Sequence, residues 1–415
     1  MIQNPAHFLR QLFDRAVEVA DPMRSLAAYL PAKPKGRTLV IGAGKASARM
    51  AEAVETVWGP CAGLVITRYG YARPCKGIEI VEAAHPVPDQ AGVNATARLL
   101  ALLDGLHESD FVLALISGGA SALLCAPVQG LMLDEKQAVN AALLASGAPI
   151  SAMNTVRKHL SCVKGGQLAA AAYPAQMLAL MISDVPGDDP AFIGSGPTVG
   201  DATTADDARE ILDRWHIPVP QAARLAFDKS GVVPPGDLRL SRTRNLIYAA
   251  PAQSLAAAAD LARATCEVRL LGDRLEGEAR KIAGQQAVMA TTIAAGLQPG
   301  DRPALLLSGG ELTVTRTGDG VGGPNAEFCL ALALALNGHS QIHALACDTD
   351  GVDGAAEVAG AVIAPDTLQG TEGAAEALVR NDAHTFFAKA GAQVVTGPTL
   401  TNVNDFRAIL ILPPG

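Results

Sequence analysis

Leu9, Leu12, Phe13, Ala16, Val17 and Ala20 fall at the i, i+3, i+4, i+7 spacing that lines one face of a helix, and Asp21-Pro22 closes the run. That spacing predicts an amphipathic packing helix. Beyond it the period changes. Thr38 to Ile41 is a short unbroken apolar run leading into Gly42-Ala43-Gly44-Lys45, followed by small residues and Met50 in a helix-like stretch. The same strand, turn, helix order recurs at Leu64 to Thr67, at Phe111 to Ile116 before Ser117-Gly118-Gly119, and at Met177 to Ile182 before Ser183-Asp184. Short apolar runs separated by helical lengths are how parallel sheets built from βαβ units read in sequence.

Ile217 to Leu240 is rich in proline and polar residues, which predicts a linker and a boundary near residue 236. The order then repeats at Leu246 to Ala249, the Ala256–Ala259 run, Ala304 to Leu307 and Ile342 to Ala346. The expected architecture is α/β, two Rossmann-like lobes with mainly parallel sheets, divided as 1–235 and 236–415. A weak internal echo supports two lobes: LISGGAS (115 to 121) and LLSGGEL (306 to 312) each precede an acidic loop, SDVPGDD (183 to 189) and DTDGVDG (348 to 354).

Composition narrows the function classes. A chain of 415 residues exceeds the usual single core, and 49% hydrophobic with 41 glycines suits helices packed on buried strands. A net charge of −8 and 4% aromatic residues argue against nucleic acid as partner. The seven scattered cysteines form no C-x-x-C pair and fit a reducing, cytoplasmic setting. No export signal opens the sequence, and Phe328 to Leu336 is far shorter than the roughly 20 residues a membrane helix needs.

The glycine turns are the first candidates for chemistry. At Ser117-Gly118-Gly119 and Ser308-Gly309-Gly310 glycine lets backbone approach a ligand, and N–H groups opening a helix attract anions. Gly42-Ala43-Gly44-Lys45 matches neither the P-loop nor G-x-G-x-x-G, since Ser47 stands where the third glycine belongs. Lys45 reads equally as a phosphate ligand or as a solvated lysine at a helix start. The acidic loops, with Asp184, Asp188 and Asp189 in one and Asp348, Asp350 and Asp353 in the other, suit Mg²⁺ or proton acceptance, and also the turn and helix capping that Asp commonly performs. Arg157, Lys158 and Lys164 form a local basic group, either an anion clamp or surface charge. His85 in His85-Pro86-Val87-Pro88-Asp89 and His159 favour structural roles, and His339 with His343 lacks the helix that would make H-x-x-x-H a zinc site. Without G-x-S-x-G or a thiol nucleophile in context, phosphoryl transfer is left, a reaction of positioning and charge.

Taken in order, VIGAGKAS (40 to 47), HPVPD (85 to 89), ISGGASALL (116 to 124), NTVRKHLSCVKGGQLA (154 to 169), ISDVPGDDPAFIGSGPT (182 to 198), LSGGELTV (307 to 314), GGPNAEF (322 to 328), DTDGVDG (348 to 354) and TGPTLTNVNDF (396 to 406) resemble the glycerate 2-kinase family. These are the class II glycerate kinases, with a C-terminal MOFRL-type domain, whose members are often labelled hydroxypyruvate reductase. The resemblance implies a cleft between two lobes, with ATP and D-glycerate as substrates, Mg²⁺ as cofactor and 2-phosphoglycerate as product. It leaves a homodimer open. By motif it implies Lys45 and Asp184 as catalytic residues, and Asp189, Asp348 and Asp350 for the metal. Substrate or phosphate would be held by Ser117, Gly118, Gly119, Ala120, Arg157, Ser308, Gly309, Gly310, Glu311 and Asn325. The chain departs from the family at Pro324, where members commonly carry arginine. Two rivals remain: a nicotinamide-dependent hydroxypyruvate reductase, which wants an acid about 20 residues past the glycine turn, and a non-catalytic hydroxy-acid or sugar-phosphate binder. Positions 61 to 63 are Cys-Ala-Gly, with no acid.

Overall fold

The apolar runs become the inner strands of two six-stranded sheets. A computed structural model describes residues 2–354 and 356–415. The chain divides into a first unit, Pro22–Tyr248, and a second, which joins Ala249–Gly415 to the segment ending at Asp21.

In the first unit the strands are β1 (Thr38–Ala43), β2 (Ala62–Arg68), β3 (Ile78–Ala83), β4 (Phe111–Ile116), β5 (Gln176–Ile182) and β6 (Thr243–Ala249), in the order β3-β2-β1-β4-β5-β6. Parallel pairing joins β3 to β2, β2 to β1, β1 to β4 and β4 to β5. This is the doubly wound order, and it reverses between β1 and β4. Leu39, Ile41 and Ala43 pack on one face with Val112, Ala114 and Ile116, and Val40, Leu113 and Leu115 between them are buried too, so β1 and β4 are buried runs rather than alternating ones. A second cluster, including Val139, Val156, Leu160, Leu212 and Phe227, holds the helices Leu133–Ala145, Ile150–His159 and Ala205–Arg214 together.

The stretch read as a linker is folded against this unit. Ile217 and Val233 are buried, and Val233 N–H donates to Gly165 O at 3.0 Å while its carbonyl accepts from Asp201 N–H at 2.9 Å. The crossing comes later than the expected 235/236 because β6 still belongs to the first sheet.

The second unit contains β7 (Glu267–Gly272), β8 (Gly277–Glu278), β9 (Ala304–Ser308), β10 (Leu312–Thr313), β11 (Ile342–Asp348), β12 (Gly360–Ile363), β13 (Gln393–Val394) and β14 (Asp405–Ile411). Its main sheet runs β13-β12-β11-β14-β9-β7, and β8 pairs with β10. The α/β class is as expected. Here β7 and β9 are parallel while β14 runs antiparallel between β9 and β11, so the second sheet is mixed. The N-terminal helix, Pro5–Ala20, is capped by Asn4, whose Oδ1 accepts from His7 N–H at 3.0 Å, and buries Leu9, Leu12, Phe13 and Ala16 against Leu255, Ala258, Leu345 and Phe406. It therefore belongs to the second unit. No helix among the described residues is long and apolar enough to cross a membrane.

Candidate functional site

In open α/β sheets ligands bind beyond the strand ends where the order reverses. In the first unit that point lies between the ends of β1 and β4, so it brings Gly44-Lys45 to Ser117-Gly118-Gly119. Lys45 N–H donates to Gly118 O at 2.8 Å, and Ala46 N–H donates to Ser117 Oγ at 3.1 Å. Ser47 Oγ shares a 3.0 Å hydrogen bond with Ser117 Oγ. Gly44 has φ +142° and any Cβ there would collide with Ser117 Oγ, so the turn requires glycine. Ser47, in place of the third fingerprint glycine, thus welds the two turns together.

Ser117 is fully buried and its hydroxyl is committed to those bonds, so what the turn can offer an anion is its backbone. The backbone remains available: the N–H groups of Gly118 and Gly119 find no acceptor among the described residues. Ala120 begins a helix of only four residues, Ala120–Leu123. A Cβ on Gly119 would stand 3.2 Å from both Lys45 Cγ and His85 Nε2, so the missing side chain gives room to a lysine and a histidine at this turn. The proline turn at His85 predicts a structural role, and local sequence gives no sign of its place beside Lys45.

Beyond β5, Asp184 is half-buried and Asp189 exposed. Asp189 Oδ1 accepts Ala191 N–H at 2.9 Å, the turn-closing use of the residue. Asp188 differs: it sits at φ +55°, and its buried Oδ1 has no hydrogen-bond partner. Arg157 is half-buried on the helix Ile150–His159 and donates to Asn154 Oδ1 at 3.4 Å, with no carboxylate in ion-pair reach among the described residues. Burial holds its guanidinium below the usual arginine range. Lys158, by contrast, pairs with Asp201.

The second unit treats its motif residues differently. Ser308-Gly309-Gly310 leads from β9 into β10, and the next helix begins only at Pro324, so no helix N-terminus stands behind this turn. Ser308 is buried, Gly309 N–H donates to Gly272 O at 2.9 Å, and fully buried Arg407 donates to the carbonyls of Gly309 and Gly310. Glu311 is exposed. Asn325 is 0% exposed; its Nδ2 donates to Asp405 Oδ1 at 2.7 Å and Asp353 Oδ1 at 3.3 Å, and its Oδ1 has no partner. Asn325 is therefore a clamp inside the fold. Asp353 caps the helix Pro324–Leu336 from a distant loop, accepting Asn325 N–H at 3.0 Å and Ala326 N–H at 2.8 Å. Burial pushes the Asp405 carboxyl upward despite the adjacent Arg407, whose Nη1 lies 2.9 Å away.

Asp348 Oδ1 accepts Asp350 N–H at 2.9 Å, and Asp350 Oδ1 accepts Val352 N–H at 2.8 Å. Both follow the residue-to-second-neighbour pattern of Asx turns. No group of three or more His, Cys, Asp or Glu side chains suited to a metal occurs among the described residues.

The model of a domain of unknown function (DUF4147) matches residues 8–228, and that of the MOFRL family matches 304–405. An Agrobacterium vitis protein carrying the provisional name hydroxypyruvate reductase is 50% identical, over 97% of this chain and 94% of its own length. The D-glycerate 2-kinase of Thermotoga maritima is 36% identical over 97% of both chains. A crystal structure of glycerate kinase from that organism superposes with a TM-score of 0.87 at 35% identity, covering 98% of this chain and 99% of the other. Such full-length likeness, on a doubly wound sheet with an anion-ready switch point, defines a two-unit α/β kinase. The chain belongs to the glycerate 2-kinase family.

Proposed function

We propose that the protein transfers the γ-phosphoryl group of ATP to the C2 hydroxyl of D-glycerate, giving ADP and 2-phospho-D-glycerate, with Mg²⁺. The observation carrying this reading is the full-length likeness to the Thermotoga D-glycerate 2-kinase, supported by the junction of Lys45 with the Gly118-Gly119 backbone. The acceptor oxygen bonds to the γ-phosphorus, the bond from that phosphorus to the β–γ bridging oxygen breaks, and the hydroxyl proton leaves to a carboxylate, for which Asp184 is the candidate. Lys45 sets a positive charge against the transferred group, and the Gly118 and Gly119 N–H groups offer further donors.

Mg²⁺ commonly uses one or two carboxylates plus substrate phosphates, so a three-carboxylate cluster is not required. The orphaned oxygen of Asp188 fits such a ligand better than Asp189 does, with Asp184 earlier in the same loop. Bound there, Mg²⁺ would neutralise phosphate charge. The seven free cysteines fit a reducing cytoplasm.

A reductase reading draws on the Agrobacterium names. It lacks a carboxylate where a ribose would be held, because β2 ends in Thr67-Arg68 and Thr67 Oγ1 donates to Gly44 O at 3.1 Å. One experiment decides. ADP release with D-glycerate, feeding an enolase-coupled assay without phosphoglycerate mutase, is the expected result. Oxidation of NADH or NADPH by hydroxypyruvate without ADP release would overturn the kinase reading, and a signal needing added mutase would overturn 2-phosphorylation.

A further inference from the structure

Inside the first unit two basic side chains are joined by an unbroken polar chain. Arg157 Nη1 donates to Asn154 Oδ1 at 3.4 Å, and the same oxygen accepts from Ser195 Oγ at 3.5 Å. Ser195 Oγ shares a 2.8 Å hydrogen bond with Ser121 Oγ, to which Lys164 Nζ donates at 3.2 Å; Nζ also reaches Ser121 O at 2.6 Å. Lys164, Ser195 and Asn154 are 1%, 1% and 5% exposed, whereas Ser121 and Arg157 open partly to solvent. Ser195 holds φ +65°, an unfavourable conformation for a side chain other than glycine.

The charges here do not balance. Lys136, also buried, donates to Leu160 O at 2.9 Å, and no carboxylate lies in ion-pair reach of Lys136, Arg157 or Lys164 among the described residues. The ion pair nearby, Lys158 with Asp201, is internally neutral. Buried cations without counter-ions are unfavourable, and a chain of net charge −8 had carboxylates to place there.

We infer that Arg157, Asn154, Ser195, Ser121 and Lys164 form the subsite for the carboxylate of the phosphoryl acceptor. This rests on the glycerate reading and deepens it, with the ligand supplying the missing negative charge. The groups facing Lys164 are Lys136, Arg157, Lys158 and Cys125, and burial together with the three cations holds its ammonium well below the ordinary lysine range. A carboxylate arriving beside Nζ therefore raises its proton affinity, and acceptor binding weakens as pH rises through the range where Lys164 loses its proton. The γ-phosphate of ATP presents the same oxyanion chemistry, so the test separates the two.

Calorimetric titrations of D-glycerate and, separately, of a non-hydrolysable ATP analogue are run in two buffers of different ionisation enthalpy. The proteins are wild type, Arg157→Met, Lys164→Met and Lys164→Arg, each checked for folding by circular dichroism. Glycerate should bind wild type with proton uptake, and both methionine variants should lose roughly tenfold or more in glycerate affinity. Lys164→Met should also lose the proton uptake, while the analogue binds all four proteins alike. Unchanged glycerate affinity in folded Arg157→Met and Lys164→Arg would overturn the inference, as would loss of analogue rather than glycerate binding. If wild type releases no ADP with glycerate yet binds tartronate with proton uptake that Lys164→Met abolishes, the glycerate reading fails and the carboxylate subsite stands.

Discussion

At Lys45 backbone and side chain have separable jobs. The N–H ties the β1 turn to Gly118 O at 2.8 Å, a bond that any residue but proline can make, while the half-buried side chain lies beside Gly119 and His85. Lys45→Ala should therefore fold normally, with thermal stability changed by no more than about 0.5 kcal/mol, and lose roughly 10²-fold in kcat, the scale for removing a preorganised charge partner. Near-complete turnover would return it to an ordinary solvated lysine. Asn325 is its opposite. Asn325→Ala would leave Asp405 Oδ1 without its 2.7 Å donor in a fully buried site, costing about 1–3 kcal/mol in urea unfolding with little change in KM for glycerate. A raised KM at unchanged stability would put Asn325 back against substrate. The two residues look alike in sequence, both polar and both within two positions of a glycine. What separates them is burial and the distant partners Asp353 and Asp405, which no local pattern contains.

Among the elements, the helix Pro324–Leu336 shows how a motif can be legible while its purpose is not. Gly-Gly-Pro-Asn marks a helix start correctly, with Pro324 at the first turn where its missing N–H does no harm. Gly323 is needed because a Cβ there would strike the Asp353 side chain, which supplies the cap that glycine lacks. Asp353→Ala should cost about 2 kcal/mol or more, since two helix N–H groups, Asn325 Nδ2 and His384 Nε2 lose an acceptor together. Urea midpoints for Asp353→Ala and the isosteric Asp353→Asn would measure it; equal stability to wild type in both would deny the cap any weight. The Ser308 turn departs from its first-unit counterpart for a related reason. Its sequence echoes Ser117-Gly118-Gly119, but the residues that follow, Leu312-Thr313, pair with Gly277-Glu278 as strand. The switch-point turn was legible because strand, glycines and lysine are contiguous. The Arg157 to Lys164 chain was only half legible, since Ser121 and Ser195 come from segments far from both cations.

For the molecule as a whole, the apolar runs announced α/β layers and two units, but strand direction leaves no trace in a buried run, and helix Pro5–Ala20 could not declare which sheet it would cover. Charge burial is likewise a property of the whole fold, and it yields a pH dependence. Lys136 and Lys164 are held below 10.5, chiefly by burial, so between their folded values and 10.5 the unfolded chain binds more protons than the folded one. Stability must then rise with pH across that window. The thiols oppose it: burial raises Cys75 from 9.0 to about 12 and Cys347 well above 9.0, so past about pH 9 they leave extra protons on the folded chain and their contribution to stability falls. Urea midpoints should climb as pH rises toward about 9, and the climb should weaken beyond it where the thiols oppose the lysines, with buried His159 and His343 held below their ordinary 6.5 and contributing little there. The change in net charge affects wild type and Lys164→Met almost equally, so the difference between their slopes reports Lys164 itself. The variant should show the shallower climb. Parallel curves from pH 7 to 9 would mean that Lys164 remains protonated throughout, and that its protonation is not linked to folding in this range.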